Sequence, residues 1–326
     1  MAGKIQTVEE TIAMINEGRR LLLAADDSVL ARLPAGTWVG GTIPYFMGAE
    51  GGVTSRDVVY VDELPAQVGD VRIVTYGPDD LHLIPTDEFS NGFSVVIVPA
   101  TSDVHVRYAA EAPEFSGIFN QPLVGWVAGS HLDDVGTAVP RVYAGPNAEA
   151  SSTRAVVLHA SLPDGALAVV DIVNLFSQGD GPTLTFDSPG FTQSKVFVDG
   201  VAHTFAEYLT SIGHDTRLPL VADYFGTGIN VSIQSVDVET GEVAFFAPVF
   251  VGVEYKLAAP VGDYVAEFER RLHEGTVAPT FACNCILNYV YSELEGKKTG
   301  DIVGPITFGE IAYQLLNQTL VYLEIV

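Results

Sequence analysis

Positive charge is scarce in this sequence. Sixteen Lys and Arg stand against 41 Asp and Glu over 326 residues, a net charge of −25. A field of that sign repels phosphate backbones and anionic lipid headgroups, so neither nucleic acid nor a membrane surface is an expected partner. Cysteine is scarcer still, with only Cys283 and Cys285 one residue apart, too close for an ordinary disulfide. Long apolar runs are missing too. No segment reaches the roughly 18 uninterrupted apolar residues of a membrane helix, and the opening MAGKIQTVEETIAMINEGRR has neither the basic start nor the apolar run of a signal peptide. The expectation is a cytoplasmic protein in a reducing compartment.

Familiar catalytic signatures are also absent. The phosphate-cradling G-x-x-x-x-G-K-[ST] loop does not occur, and Gly179-Asp180-Gly181 lacks the third glycine of a dinucleotide fingerprint because position 184 is Leu. No G-x-S-x-G elbow exists, and His273-Glu274 is followed by Gly275 and Thr276 with no histidine four residues on. Nucleotide binding, serine hydrolysis and zinc-dependent proteolysis all lose their sequence support.

What is present is a folding chain: 48% of residues are hydrophobic, enough for a large core, while 32 Gly and 18 Pro point to many turns. Thr7 and Glu10 have capping-box spacing ahead of Val8, Ile12 and Ile15, which predicts a helix ending near Gly18. A second short helix starts at Asp27 or Ser28 and stops at Pro34. Runs at 37–43, 57–64, 71–77, 94–100, 122–129, 140–145, 153–162 and 165–176 are β-branched or aromatic and read as strands, the last two joined as a hairpin by Asp164-Gly165. The Gly, Pro, Asp and Ser-rich stretch 177–190 is the strongest break, which sets a domain boundary there. Beyond it come a strand at 195–200, a helix carrying Phe205, Leu209 and Ile212 capped by Gly213, a hairpin at Glu239-Thr240-Gly241, and a helix begun by Asp263. In FACNCILNYVYSELEG, residues Cys283, Ile286, Leu287, Val290 and Leu294 share one helical stripe, which turns Cys283 to the core and Cys285 away from it.

Several residues stand out chemically. The C-x-C pair offers two thiolates to a soft metal but no histidine completes the set, and the alternative is a buried structural cysteine beside a helix-edge neighbour. If a helix begins near Cys283, Cys285 sits in its first turn, where the dipole lowers a thiol pKa and attracts a carboxylate. Among the scattered histidines, His131 follows Gly129-Ser130 at a strand end, His105 lies in a loop after SVVIVPA, and His159 lies inside an apolar strand. Trp38 and Trp126 sit in glycine-flanked strands, where a ligand or another backbone approaches closely or the aromatics simply pack.

Residues 194–326 resemble the C-terminal half of the FIST sensory domain, a bacterial and archaeal ligand-binding module. The resemblance rests on VFVDGVAHTFAEYL, on the hairpin and helix after it, on a buried cysteine, and on GPITFGEIAYQLLNQTLVYLEI with Gly304, Thr307, Gly309, Glu310, Asn317 and Thr319. LPAGTWVGGTIPYF resembles the N-terminal entry of that family at Gly40, Gly41 and Thr42. An arginine that the family carries shortly after the buried cysteine has no counterpart in CNCILNYVY. The expected fold is mixed α+β within the α/β class, two β-rich sheets with flanking helices, in two similar-sized halves at 1–185 and 186–326.

The resemblance implies a non-catalytic sensory domain for a small, amino-acid-like metabolite, acting through a separate signalling protein. The expected pocket lies between the halves and is lined by Gly40, Gly41, Thr42, Trp126, Cys283, Asn284, Cys285, Gly309 and Glu310. Glu310 would meet an ammonium group and a helix N-terminus a carboxylate, with helix capping as the purely structural alternative for Glu310. No cofactor is expected for that reading. One branch of the family implies an alternative, a haem-containing nitric-oxide sensor, with His131, His105 or His159 as the iron ligand. A further alternative is an enzyme with Cys285 as nucleophile or Glu310 as base.

Overall fold

The fold follows from a chain dominated by short apolar strands, with a few brief helices between them. The computed structural model describes residues 3–224, 227–272 and 279–326. It is a mixed α+β protein whose described residues form five sheets, where the sequence reading expects two. The helices are α1 (Val8–Asn16), α2 (Asp27–Leu30), α3 (Asp103–Glu111), α4 (Phe205–Ser211), α5 (Tyr264–Leu272) and α6 (Ile286–Tyr291). None of these described helices is long and apolar enough to cross a membrane.

Three six-stranded sheets form the main body. The first runs Lys4–Gln6, Val59–Glu63, Leu21–Ala25, Trp38–Thr42, Val142–Ala144, Glu149–Ser151. The central one runs Gln314–Leu316, Glu310–Ala312, Leu123–Ala128, Gly92–Pro99, Ala155–Ser161, Val71–Tyr76. The third runs Ala168–Asn174, Thr319–Ile325, Phe281–Cys285, Gly304–Thr307, Tyr45–Gly48, Gly51–Thr54. One face of the central sheet, with Val95, Ile97, Trp126 and Val156, packs on Leu22 and Val39 of the first sheet and on Phe281, Cys283 and Val321 of the third. Its other face buries Val96, Val98 and Val157 against Val104 and Tyr108 of α3. Helix α1 covers the outside of the first sheet, and α5 and α6 cover the third. The result is an α/β/β/α stack, because each apolar strand needs both faces covered.

Residues 184–257 build a separate sandwich of a six-stranded and a three-stranded sheet around Phe186, Phe205, Phe245 and Tyr255. The chain then returns to the main body. Gly304 and Pro305 pair with Met47 and Phe46, and Glu310–Ala312 pairs with Val124–Trp126, so strands from both sides of residue 185 share sheets.

Local signals account for many element ends. Thr7 and Glu10 form the expected capping box, Asp26 caps α2, Asp263 accepts the Ala266 N–H at the start of α5, and Gly213 follows α4 at φ +61°. The hairpin around Glu239-Thr240-Gly241 forms as expected. The one expected at Asp164-Gly165 does not: Ala155–Ser161 pairs within the central sheet, and Ala168–Asn174 pairs instead with Thr319–Ile325. Ile212, expected on the apolar face of α4, is its exposed C-cap. His273-Glu274 lies outside the described residues.

Candidate functional site

The segment FACNCILNYVY, read from sequence as one helical stripe, is a strand from Phe281 to Cys285 running into α6. Pairing with Thr319–Ile325 overrides the 3.6-residue periodicity. Phe281 and Cys283 point to the central sheet, where the Cys283 thiol donates to Gly125 O at 3.4 Å. Cys285 caps α6 and is fully buried, so the expectation that it faces away from the core is corrected. Burial pushes both thiols well above the usual range, with the Glu310 carboxyl adding to the effect. A helix dipole does not activate Cys285, because desolvation outweighs the single short turn behind it.

Glu310 is the centre of this region. It lies on the strand Glu310–Ala312, directly opposite Trp126, and is fully buried. It caps no helix, which corrects the structural alternative. Its Oε2 accepts from the Thr319 N–H at 3.2 Å and the Thr319 hydroxyl at 2.9 Å, and Oε1 lies 3.4 Å from the Thr307 hydroxyl. The Cys285 thiol lies against the same carboxyl. Desolvation prevails over these donors and pushes the Glu310 pKa up to about 8, so the carboxyl is protonated at neutral pH. The Thr307 hydroxyl also lies within reach of Gly309 O at 3.1 Å and Asn284 O at 3.3 Å, so its single proton is shared among three acceptors.

Around this acid the polar inventory is incomplete. Asn284 Oδ1 accepts from its neighbour Cys285 N–H at 2.8 Å and from Asn288 Nδ2 at 3.0 Å. Asn288 Oδ1 is buried without a hydrogen-bond partner, while Asn284 Nδ2 and the Tyr264 hydroxyl face each other without a well-aligned hydrogen bond. An orphaned buried group of this kind costs about 1–3 kcal/mol. Native interiors complete such groups with an ordered water, an ion or a ligand.

Of the residues expected to line a pocket, Cys285, Asn284, Gly309 and Glu310 meet here. Trp126, the register partner of Glu310, touches Gly41: a Cβ on Gly41 would stand 2.7 Å from Trp126 Nε1, so only glycine admits the indole. That Nε1 has no partner, and the ring stacks on Phe281 at 5.6 Å. Gly40 and Thr42 make other contacts. Gly40 lies against Leu23, and the Thr42 hydroxyl donates to Gly129 O at 2.7 Å and accepts the Arg141 N–H at 2.9 Å, holding strand ends together.

The three histidines are not gathered. His159 is buried in the central sheet with both ring nitrogens engaged, by the Tyr76 hydroxyl at 3.0 Å and the Ser94 hydroxyl at 2.8 Å. His105 belongs to α3, not to a loop; its Nδ1 accepts the Thr101 N–H at 3.3 Å and its Nε2 is buried without a partner. Burial lowers both pKa values to about 4. His131 caps a short 3-10 turn and stacks on Tyr45 at 5.4 Å.

Two clefts open on either side of Arg271. The larger, about 590 Å³, is lined by the strand Ala168–Asn174, by Val221 to Asp223 and by Gly228; the second, about 490 Å³, runs along the outer face of α5 by Asp263, Glu267 and Arg270. None of the residues expected from sequence lines either cleft. A buried relay nevertheless connects the larger one to Glu310. Asn174 and Asn230 exchange amide hydrogen bonds, Asn230 Nδ2 reaches the carbonyls of Asn317 and Gln318, and the next residue, Thr319, holds the carboxyl. Asn288 and Tyr264 escaped the sequence reading, although Asn284 and Asn288 are a polar i,i+4 pair in an otherwise apolar run and that spacing was the available signal.

Residues 6–326 match the model of a family of unknown function (DUF6976), and the chain belongs to that family. No curated protein matches it significantly.

Proposed function

We propose that this member of the DUF6976 family is a non-catalytic binding domain that holds a small, amino-acid-like metabolite in its interior beside Glu310 and communicates its occupancy to a separate protein. The observation that carries the reading is an incompletely bonded polar cluster around a buried acid, with Asn288 Oδ1 unpartnered and Asn284 Nδ2 and Tyr264 Oη only loosely facing each other. An ammonium or amide group donates to Asn288 Oδ1 and the Tyr264 oxygen, and a carboxylate or carbonyl accepts from Asn284 Nδ2. The FIST-like run from Gly304 to Thr319 supports the same location, since its Thr307, Gly309, Glu310 and Thr319 are the residues that bond with one another. The elevated thiol pKa of Cys285 favours this reading over a nucleophilic enzyme, because the thiolate is the reactive form.

A cationic group arriving beside Glu310 favours its ionised form, so binding near neutral pH releases a proton. A melting-temperature screen of amino acids and small amines, run on the wild type and on Asn288→Leu, tests the site. The expected result is a compound that raises Tm by a few degrees in the wild type and by less than half as much in Asn288→Leu. Equal shifts in both proteins would move the ligand elsewhere, and no shift with any compound would count against the reading.

A further inference from the structure

We infer that the outer edge of the strand Ala168–Asn174 is a docking site for an extended, basic segment of another polypeptide, which joins the third sheet as a seventh strand. This inference is independent of the interior ligand. Leu167 and Val326 exchange both backbone hydrogen bonds, at 2.8 Å each. In an antiparallel ladder such pairs alternate, so Val169, Asp171 and Val173 turn their backbone groups toward Thr319–Ile325, and Ala168, Val170, Ile172 and Asn174 turn theirs outward. Two contacts agree with that phase. The Ile172 N–H donates to Asp171 Oδ1 at 2.8 Å, and the Asn174 carbonyl accepts from Arg271 Nη1 at 2.8 Å.

Among the described residues no strand pairs with this edge. The register runs unbroken from Ala168 to Asn174, with no bulge, proline or lysine, and while Asp171 and Arg271 engage the Ile172 N–H and the Asn174 carbonyl, the outward groups of Ala168 and Val170 face the cleft. The cleft of about 590 Å³ lies alongside it, with the strand Leu220–Tyr224 as the facing wall. A strand laid there receives the backbone hydrogen bonds that Ala168 and Val170 offer, the mode by which extended peptides add to sheets.

The occupant's chemistry follows from the two faces of the strand. Val170 and Ile172 pack toward the apolar core between sheets, whereas the Asp171 side chain stands on the opposite face, bonded to the Tyr322 hydroxyl at 2.7 Å. An added strand therefore alternates apolar residues with residues that meet Asp171. Asp171 and Asp223 both line the cleft, and the chain carries a net charge of −25. Arg271, the cation in the wall, is directed to the Asn174 carbonyl and to Glu267 at 3.3 Å. Lysine or arginine suits the alternate positions, and a second copy of this acidic chain, bringing its own Asp171, does not.

Fluorescence anisotropy with a labelled peptide alternating lysine and valine tests the site at physiological ionic strength. Two probes serve as controls: the same peptide N-methylated at every second residue, which keeps charge and loses strand donors, and one with glutamate replacing lysine. The expected result is binding of the lysine peptide that weakens at least tenfold in each control and in Val170→Pro, a substitution at an outward N–H that leaves the inner ladder intact. Equal binding of the N-methylated or the glutamate peptide would overturn the inference, as would absence of lysine-peptide binding. Full binding by a normally melting Val170→Pro protein, or self-association that this substitution abolishes, would overturn it too. Should Val170→Pro fail to fold, the N-methylated probe decides alone.

Discussion

Thr319 holds one oxygen of Glu310 twice, through its backbone N–H at 3.2 Å and its hydroxyl at 2.9 Å, inside a region closed to water. Because burial keeps that carboxyl protonated at neutral pH, Gln is a close mimic of its resting form and Leu is not. Glu310→Gln is expected to change stability at pH 7 by about 1 kcal/mol or less. Glu310→Leu strands both Thr319 donors and costs about 2–5 kcal/mol. Urea denaturation of the two variants checks the ordering, and equal losses would contradict it.

The pH dependence has a definite sign. Glu310 and Asp62 titrate near 8 in the folded chain, raised by burial from ordinary values of 4.5 and 3.8. Between those limits the unfolded chain has lost protons that the folded chain keeps, so these groups lower stability as pH rises through the window. His105 and His159, lowered from 6.5 to about 4, act oppositely, but only up to about pH 6.5. From pH 6.5 to 8 the two carboxyls act together with Glu88, which burial also raises to about 8. The unfolding free energy from urea denaturation is expected to fall over that interval, by at most about 1.4 kcal/mol per pH unit for each group, and to fall less in Glu310→Gln and in Asp62→Asn. An unfolding free energy that rises there would contradict the burial of both acids.

Both cysteines are 1% exposed, with thiols held protonated. Under native conditions a disulfide thiol reagent is therefore expected to label neither within the time it takes to label both in denaturant. Rapid labelling of one thiol in the folded protein would restore a reactive Cys285.

Asn174 and Asn230 exchange amide hydrogen bonds at 2.9 and 3.0 Å, joining the third sheet to the sandwich at the wall of the larger cleft. Each alanine variant leaves the other amide buried and incomplete, so each is expected to cost about 1–3 kcal/mol. The double variant then costs less than the sum. A double-mutant cycle by urea denaturation is expected to give a coupling of about 1–2 kcal/mol, and strict additivity would contradict the pairing.

Elements fixed by local chemistry were legible in the sequence: the capping box of Thr7 and Glu10, the Gly213 cap and the Glu239-Thr240-Gly241 hairpin all depend on residues a few positions apart. Partners distant in sequence were not. Asp164-Gly165 carries a turn signal, yet Ala168–Asn174 pairs with residues about 150 positions later, and nothing local encodes that choice. The same holds for Cys285, whose burial is set by α6 and by Glu310 and not by helical phase. Glu310, Gly309 and Asn284 were singled out by the motif around them, and the structure brings them together. Tyr264 was not, because its hydroxyl joins them only once α5 packs across the third sheet.

The proposed function places a small molecule at the buried polar cluster beside Glu310. Native mass spectrometry, on protein purified without denaturation and then incubated with amino acids and small amines, tests it most directly. The expected spectrum carries a small-metabolite mass that disappears on denaturation and is absent from Glu310→Leu protein that retains its cooperative melt. A bare polypeptide mass for the wild type, both as purified and after incubation, would contradict the account.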